Sequence, residues 1–163
     1  MKTSSRSSSV YRNQNALVRA VFERAGSARK VLCVALDYAK TKHVALICDG
    51  VGDILKSAFP VENNPAGVAY LVEQISATAR RRKIAKDCIY LGGEDEAPYV
   101  ANFTAALREK GYLVVRVNAY EAKENRENLL ASTDNLDLLG IAKTLLARRA
   151  RLTGESSPAD PIY

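Results

Sequence analysis

A chain of 163 residues, 47% of them hydrophobic, suffices for one domain with a real core and is too short for two. Its net charge of +6 is concentrated, because Met1 to Lys30 carries seven Lys/Arg against one Glu while the rest carries 17 of each sign. No apolar run approaches the ~20 residues of a membrane-spanning helix and the N-terminus has no apolar signal core, so the expectation is a soluble protein with no membrane partner.

Residues 1–30 read as a basic, partly disordered arm. Thr3 to Ser9 (TSSRSSS) is too polar to bury anything, and a short helix capped by Asn15 would present Leu17, Val18, Val21 and Phe22 on one face before stopping at Gly26. The charge excess suits a polyanion, nucleic acid foremost, with Arg6, Arg12, Arg19 and Lys30, together with Lys40, as candidate contacts. A basic solvated tail is the plain alternative. The Arg- and Ser-rich, acid-poor composition also describes a mitochondrial transit peptide.

Val31 to Leu36 is a continuous apolar run ending on Asp37, which predicts a central strand covered on both faces with a carboxylate at its rim. His43 to Cys48 and Ile54 to Pro60 predict two further strands joined through the DGVGD turn, an antiparallel meander. Asn64 and Pro65 open a helix whose buried stripe is Val68, Leu71, Val72, Ile75 and Ala79, ending in Arg80 to Lys83, a run that suits a helix C-terminus as well as a DNA contact. Asp87 to Gly93 predicts a fourth strand, Ala97 to Lys110 a helix and Tyr112 to Val117 a fifth strand, a crossover that makes strands four and five parallel to the first. Helices over Tyr120 to Leu130 and about Asp134 to Ala150 follow. The body is thus expected over residues 31–151, with a polar tail at 152–163. The class is α/β: a mixed five-stranded sheet with flanking helices, in the strand order of the ribonuclease H fold. Cys33, Cys48 and Cys88 form no CxxC pair and fall in strands, so reduced core cysteines and a reducing, cytoplasmic compartment are expected.

The acids carry the chemistry. Pairing of strands one and four brings Asp37 toward Glu94, and Asp134 and Asp137 lie four residues before Leu138 and Ile141 on the stripe of the last helix. Asp134 as a simple N-cap is the local alternative. Four converging carboxylates repel, at about 4 kcal/mol for a pair ~4 Å apart at an effective dielectric of ~20, and divalent cations remove the conflict. Oxygen-only ligands select Mg²⁺ or Mn²⁺, and a single histidine, His43, leaves no Ser/His/Asp triad. Two such ions suit phosphodiester cleavage or transfer.

The residues resemble the DEDD transposases of the insertion-sequence-110 group, whose N-terminal domain is similar to RuvC Holliday-junction resolvases. The resemblance covers about Val31 to Ala150: Asp37 with Lys40 three on, Phe59 to Gly67 (FPVENNPAG), Glu94 before Pro98-Tyr99, Gly111 to Asn118, and Thr133, Asp134 and Asp137. It implies a RuvC-like fold, a DEDD metal site of Asp37, Glu94, Asp134 and Asp137 holding two Mg²⁺ or Mn²⁺ ions, DNA as partner, a guide RNA, a homo-oligomer and a bacterial or archaeal, nucleoid-associated setting. Departures bear on this. Where the family has E-A-T-G-P-Y this chain has Glu94-Asp95-Glu96-Ala97-Pro98-Tyr99, so Asp95 or Glu96 competes with Glu94 as ligand. Ser132 and Asn135 stand where the family tends to be basic. Family members continue into a domain with a catalytic serine, so a fragment, a truncated copy or an isolated domain is expected. The competing readings are a stand-alone junction resolvase, a non-catalytic nucleic-acid-binding or dimerisation module, and an actin-like ATPase, the last opposed by the lack of a glycine after Asp37.

Overall fold

The computed structural model describes residues 2–94, 97–117 and 136–155, with side chains described over 13–94, 97–117 and 138–147. In chain order the elements are α1 (Lys2–Ala25), β1 (Leu32–Asp37), β2 (Lys42–Asp49), β3 (Ile54–Glu62), α2 (Pro65–Arg82), β4 (Ile89–Gly93), α3 (Ala101–Glu109), β5 (Leu113–Arg116) and α4 (Leu136–Glu155). The sheet order is β3-β2-β1-β4-β5. β2 is antiparallel to both β1 and β3, whereas β4 is parallel to β1 and β5. This is the mixed five-stranded, ribonuclease H-like arrangement that the strand order predicts.

Alternation along β1 explains its unbroken apolar run. Leu32, Val34 and Leu36 enter a core with Leu71 and Ile75 of α2 and Phe103 and Leu107 of α3. Cys33 and Ala35 enter a second core with Val18, Val21 and Phe22 of α1 and Leu138, Ile141 and Leu145 of α4. With two buried faces, neither parity of β1 can be polar until the strand reaches its rim at Asp37.

α2 begins as expected: Asn64 Oδ1 accepts from Gly67 N at 2.8 Å, with Pro65 in the first turn. Its C-terminal run is engaged locally. Lys83 takes the left-handed C-cap at φ 56°, and Lys30 Nζ donates to the carbonyls of Arg82 at 3.0 Å and Lys83 at 3.5 Å. A cation on orphan carbonyls at a helix C-terminus is favourable on both hydrogen-bonding and dipole grounds.

Several boundaries move. A 3₁₀ turn at Lys86–Cys88 delays β4, another at Pro98–Val100 delays α3, and β3 runs on to Glu62, burying Val61. α4 extends to Glu155, and the predicted helix over 120–130 lies outside the described residues. The larger correction is at the N-terminus. Instead of a disordered tail and a short helix, α1 is continuous from Lys2, because once Gln14 to Ala25 is anchored the helix needs no new nucleus and extending it costs little. The anchored half belongs to the core. Gln14 makes two bonds to the backbone of Arg116, donating from Nε2 to its oxygen at 3.4 Å and accepting from its N–H at 2.8 Å, which closes part of the open edge of β5. Cys33, Cys48 and Cys88 are free and buried, as expected.

Candidate active site

The site is built on the carboxyl ends of β1 and β4. Their parallel register pairs Leu36 with Gly93, and Asp37 and Glu94 are the next residue of each chain. Alternation fixes their face. Asp37 shares parity with Cys33 and Ala35, and Glu94 with Tyr90 and Gly92, which puts both on the side covered by α4. Both acids are half-buried. Asp95 and Glu96, the competing ligands, lie outside the described residues.

α4 crosses this face in a defined direction. Tyr90 donates its hydroxyl to Leu145 O at 2.8 Å, and Leu146 reaches the β2–β3 turn at Gly52, near the start of β1. The helix start therefore points toward the other end of the strands. From Leu145 back to Leu136 is about 13 Å at 1.5 Å per residue, and Tyr90 to Glu94 is about 13 Å of strand, so α4 starts roughly level with the two acids. The stripe of α4 is buried at Leu138, Ile141, Ala142 and Leu145, with Leu146 half-buried. Asp137 is the second residue of α4, and its side chain, like the whole of Asp134, lies outside the described residues. Among the described residues no three His, Cys, Asp or Glu side chains gather as a metal-holding group. The two register-adjacent carboxylates nonetheless fit a hard divalent cation, because the donors they offer are oxygens alone.

Three residues around this pair are not among the site candidates read from the sequence. The Tyr38 ring lies against Gly93, where a Cβ would meet Tyr38 Cε2 at 2.7 Å and Leu36 O at 2.3 Å. Burial pushes the Tyr38 phenol well above its usual range, with the charge of Arg108 opposing, so it is neutral at physiological pH. His43 is fully buried between Tyr38 and Phe103, at ring centroid distances of 5.4 and 4.3 Å, and its Nδ1 accepts from Ala39 N at 3.0 Å. That bond fixes the tautomer with hydrogen on Nε2, which has no hydrogen-bond partner among the described residues. The only sequence hint was an apolar neighbourhood around one histidine. Asn63 is the third, and it joins the loops that follow the two acids.

The buried imidazole has a pH consequence. Burial lowers the His43 pKa below 6.5, with the side chain of Asn63 opposing. The unfolded chain thus binds a proton that the folded chain resists, so stability is complete above about pH 6.5 and is lost as pH falls through the lower folded value. Thermal melts from pH 7.5 to 5 should show a shallower acid-side loss in His43→Gln than in the parent. Equal slopes would remove His43 from the titration.

Of the candidate phosphate contacts whose side chains are described, Lys40 alone lies at this end. Lys30 precedes β1, a strand length away from Asp37, and is engaged with α2 as described. Arg19 pairs with Glu23 at 3.4 Å on the exposed face of α1. Lys40 is exposed in the loop after Asp37 and is the one candidate adjacent to the acids among the described side chains. Arg6 and Arg12 lie on α1, with side chains outside those described. No helix among the described residues is long and apolar enough to cross a membrane.

A comparison with curated proteins finds no match. Among solved structures, T. thermophilus RuvC in complex with Holliday junction substrate is similar at 13% identity, over 75% of this chain and 96% of that one, with a TM-score of 0.48. The family model of the DEDD transposases of the insertion-sequence-110 type, described as a transposase, matches residues 34–162, a span that contains Asp37, Glu94, Asp134 and Asp137, and the chain belongs to that family.

Proposed function

We propose that this chain supplies the metal-dependent nuclease site of a DNA transposase, with Asp37, Glu94, Asp134 and Asp137 as ligands for two Mg²⁺ or Mn²⁺ ions. The observation that supports it most is the register of β1 and β4, in which Asp37 and Glu94 each follow the last shared pair, Leu36 with Gly93, with the parity of the face that α4 covers. Carboxylates gathered at a half-buried rim repel and suit a divalent cation, and the span matched by the family also contains Asp134 and Asp137. When bound, the ions would activate the attacking water or hydroxyl and stabilise the leaving oxygen at phosphorus. Asp37 and Glu94 would hold them from the rigid sheet, while the last helix would bring Asp134 and Asp137 from the opposite side. DNA as partner is supported by the family and by the basic excess of residues 1–30. A guide RNA and a homo-oligomer belong to the same reading and rest on the family resemblance alone. Because α1 from Gln14 onward is part of the core, the arm's contribution is to be tested by substituting Arg6 and Arg12 rather than by deleting it.

Metal binding tests the site whether or not this chain cleaves DNA unaided. Mn²⁺ should raise the melting temperature of the full chain relative to EDTA, by about 2.7 kcal/mol of stabilisation at a hundredfold excess over Kd. Labelled duplex and four-way-junction DNA should be nicked only with metal. A melting temperature that ignores Mn²⁺ would overturn the assignment.

A further inference from the structure

The chain leaves the sheet after Asp37 and again after Gly93, where Glu94 follows, and one side chain ties the two exits together. Asn63, between β3 and α2, donates from Nδ2 to Lys40 O at 2.9 Å and to Tyr99 O at 3.0 Å. Its backbone N–H donates to Thr41 O at 2.9 Å. Lys40 stands three residues after Asp37, and Tyr99 five after Glu94. Two carbonyls cannot bond to each other, since both only accept, and a primary amide with its two N–H groups is a compact bridge between them. The neighbouring Asn64 is committed elsewhere, as the N-cap of α2 through Gly67 N. The loop after Asp37 is held from within as well, through Ala39 N–H and the buried His43.

We infer that Asn63 is a positioning residue: it locks the loops following Asp37 and Glu94 to one another and so fixes the spacing of the two carboxylates. This rests on the metal reading of those acids given above. Asp37 is still paired with Val44 of β2, whereas Glu94 lies one residue beyond the last rung shared by β1 and β4, Leu36 with Gly93. Past that rung no strand pairing among the described residues ties the two exits to each other, and a ligand pair whose spacing can vary binds metal less tightly.

The test compares the full-length parent, Asn63→Ala and Asn64→Ala by amide hydrogen exchange and by Mn²⁺ titration of the melting temperature. In Asn63→Ala the amides of Ala39 to Thr41 and of Val100 and Ala101 should exchange faster together. Half-saturating Mn²⁺ should rise about tenfold or more in that variant, whereas Asn64→Ala, which loses a helix cap, should melt lower but stay within about twofold of the parent in Mn²⁺. Faster exchange in one loop only, an unchanged Mn²⁺ requirement in Asn63→Ala, or an equal rise in Asn64→Ala would each overturn the inference. A parent that takes up no Mn²⁺ overturns the metal reading instead, and the coupled exchange then decides the tie by itself.

Discussion

Asp37→Asn should abolish metal-dependent strand cleavage, by roughly a thousandfold or more, while leaving the metal-free fold as stable as the parent or more so. The two effects have one cause. On the proposed reading Asp37 and Glu94 are ligands of the same ions, and without metal a like-charged pair at ~4 Å costs about 4 kcal/mol at an effective dielectric of ~20. The amide has the same shape and no charge, so it relieves the repulsion without opening a cavity. With Mn²⁺ present the balance inverts, because the parent gains binding energy that the variant has forfeited. Melts of both proteins in EDTA and in Mn²⁺ decide the matter. Equal Mn²⁺ increments in the two would show that Asp37 ligates nothing, and a large loss of stability in EDTA would make it a structural acid.

The architecture was legible in the sequence because its signals are local. The apolar run from Val31 to Leu36, the two-glycine turn before Ile54 and the Asn64-Pro65 helix start each specify their element through near-neighbour chemistry, and the crossover rule then orders the sheet. The places of Asp37 and Glu94 at the ends of β1 and β4 were legible for the same reason. What the sequence concealed depends on contacts between distant segments. Nothing around Asn63 says that its amide reaches Lys40 on one side and Tyr99 on the other, 23 and 36 residues away. The polar composition of Thr3 to Ser9 reads as disorder, and no local signal reveals that Gln14 pairs with Arg116, 102 residues on, and anchors the helix they extend. The contact of Lys30 is of the same long-range kind, since its ammonium reaches two carbonyls at the end of α2.

Gly93→Ala sets local propensity against packing, and packing should win. Judged by backbone entropy alone, alanine in a strand should stabilise by roughly 0.5–1 kcal/mol over glycine. The added Cβ, however, would lie 2.3 Å from Leu36 O and 2.7 Å from the Tyr38 ring. The ring can rotate away, but the Leu36 carbonyl belongs to a strand held by β2 on one side and β4 on the other. Relief therefore requires β1 and β4 to part at their last shared rung. Overpacking of this kind should cost about 3 kcal/mol, a fall of roughly 6–12 °C in melting temperature for a chain of this size. The same displacement separates Asp37 from Glu94, and a shift of about 1 Å at a reacting centre can cost on the order of a hundredfold in rate. Placing Gly93→Ala in a Tyr38→Ala background separates the two obstacles: most of the loss should persist, because the backbone oxygen is still there. If Gly93→Ala melts at or above the parent temperature, the close approach of the two strands is wrong, and with it the side-by-side arrangement of the acids on which the proposed site depends.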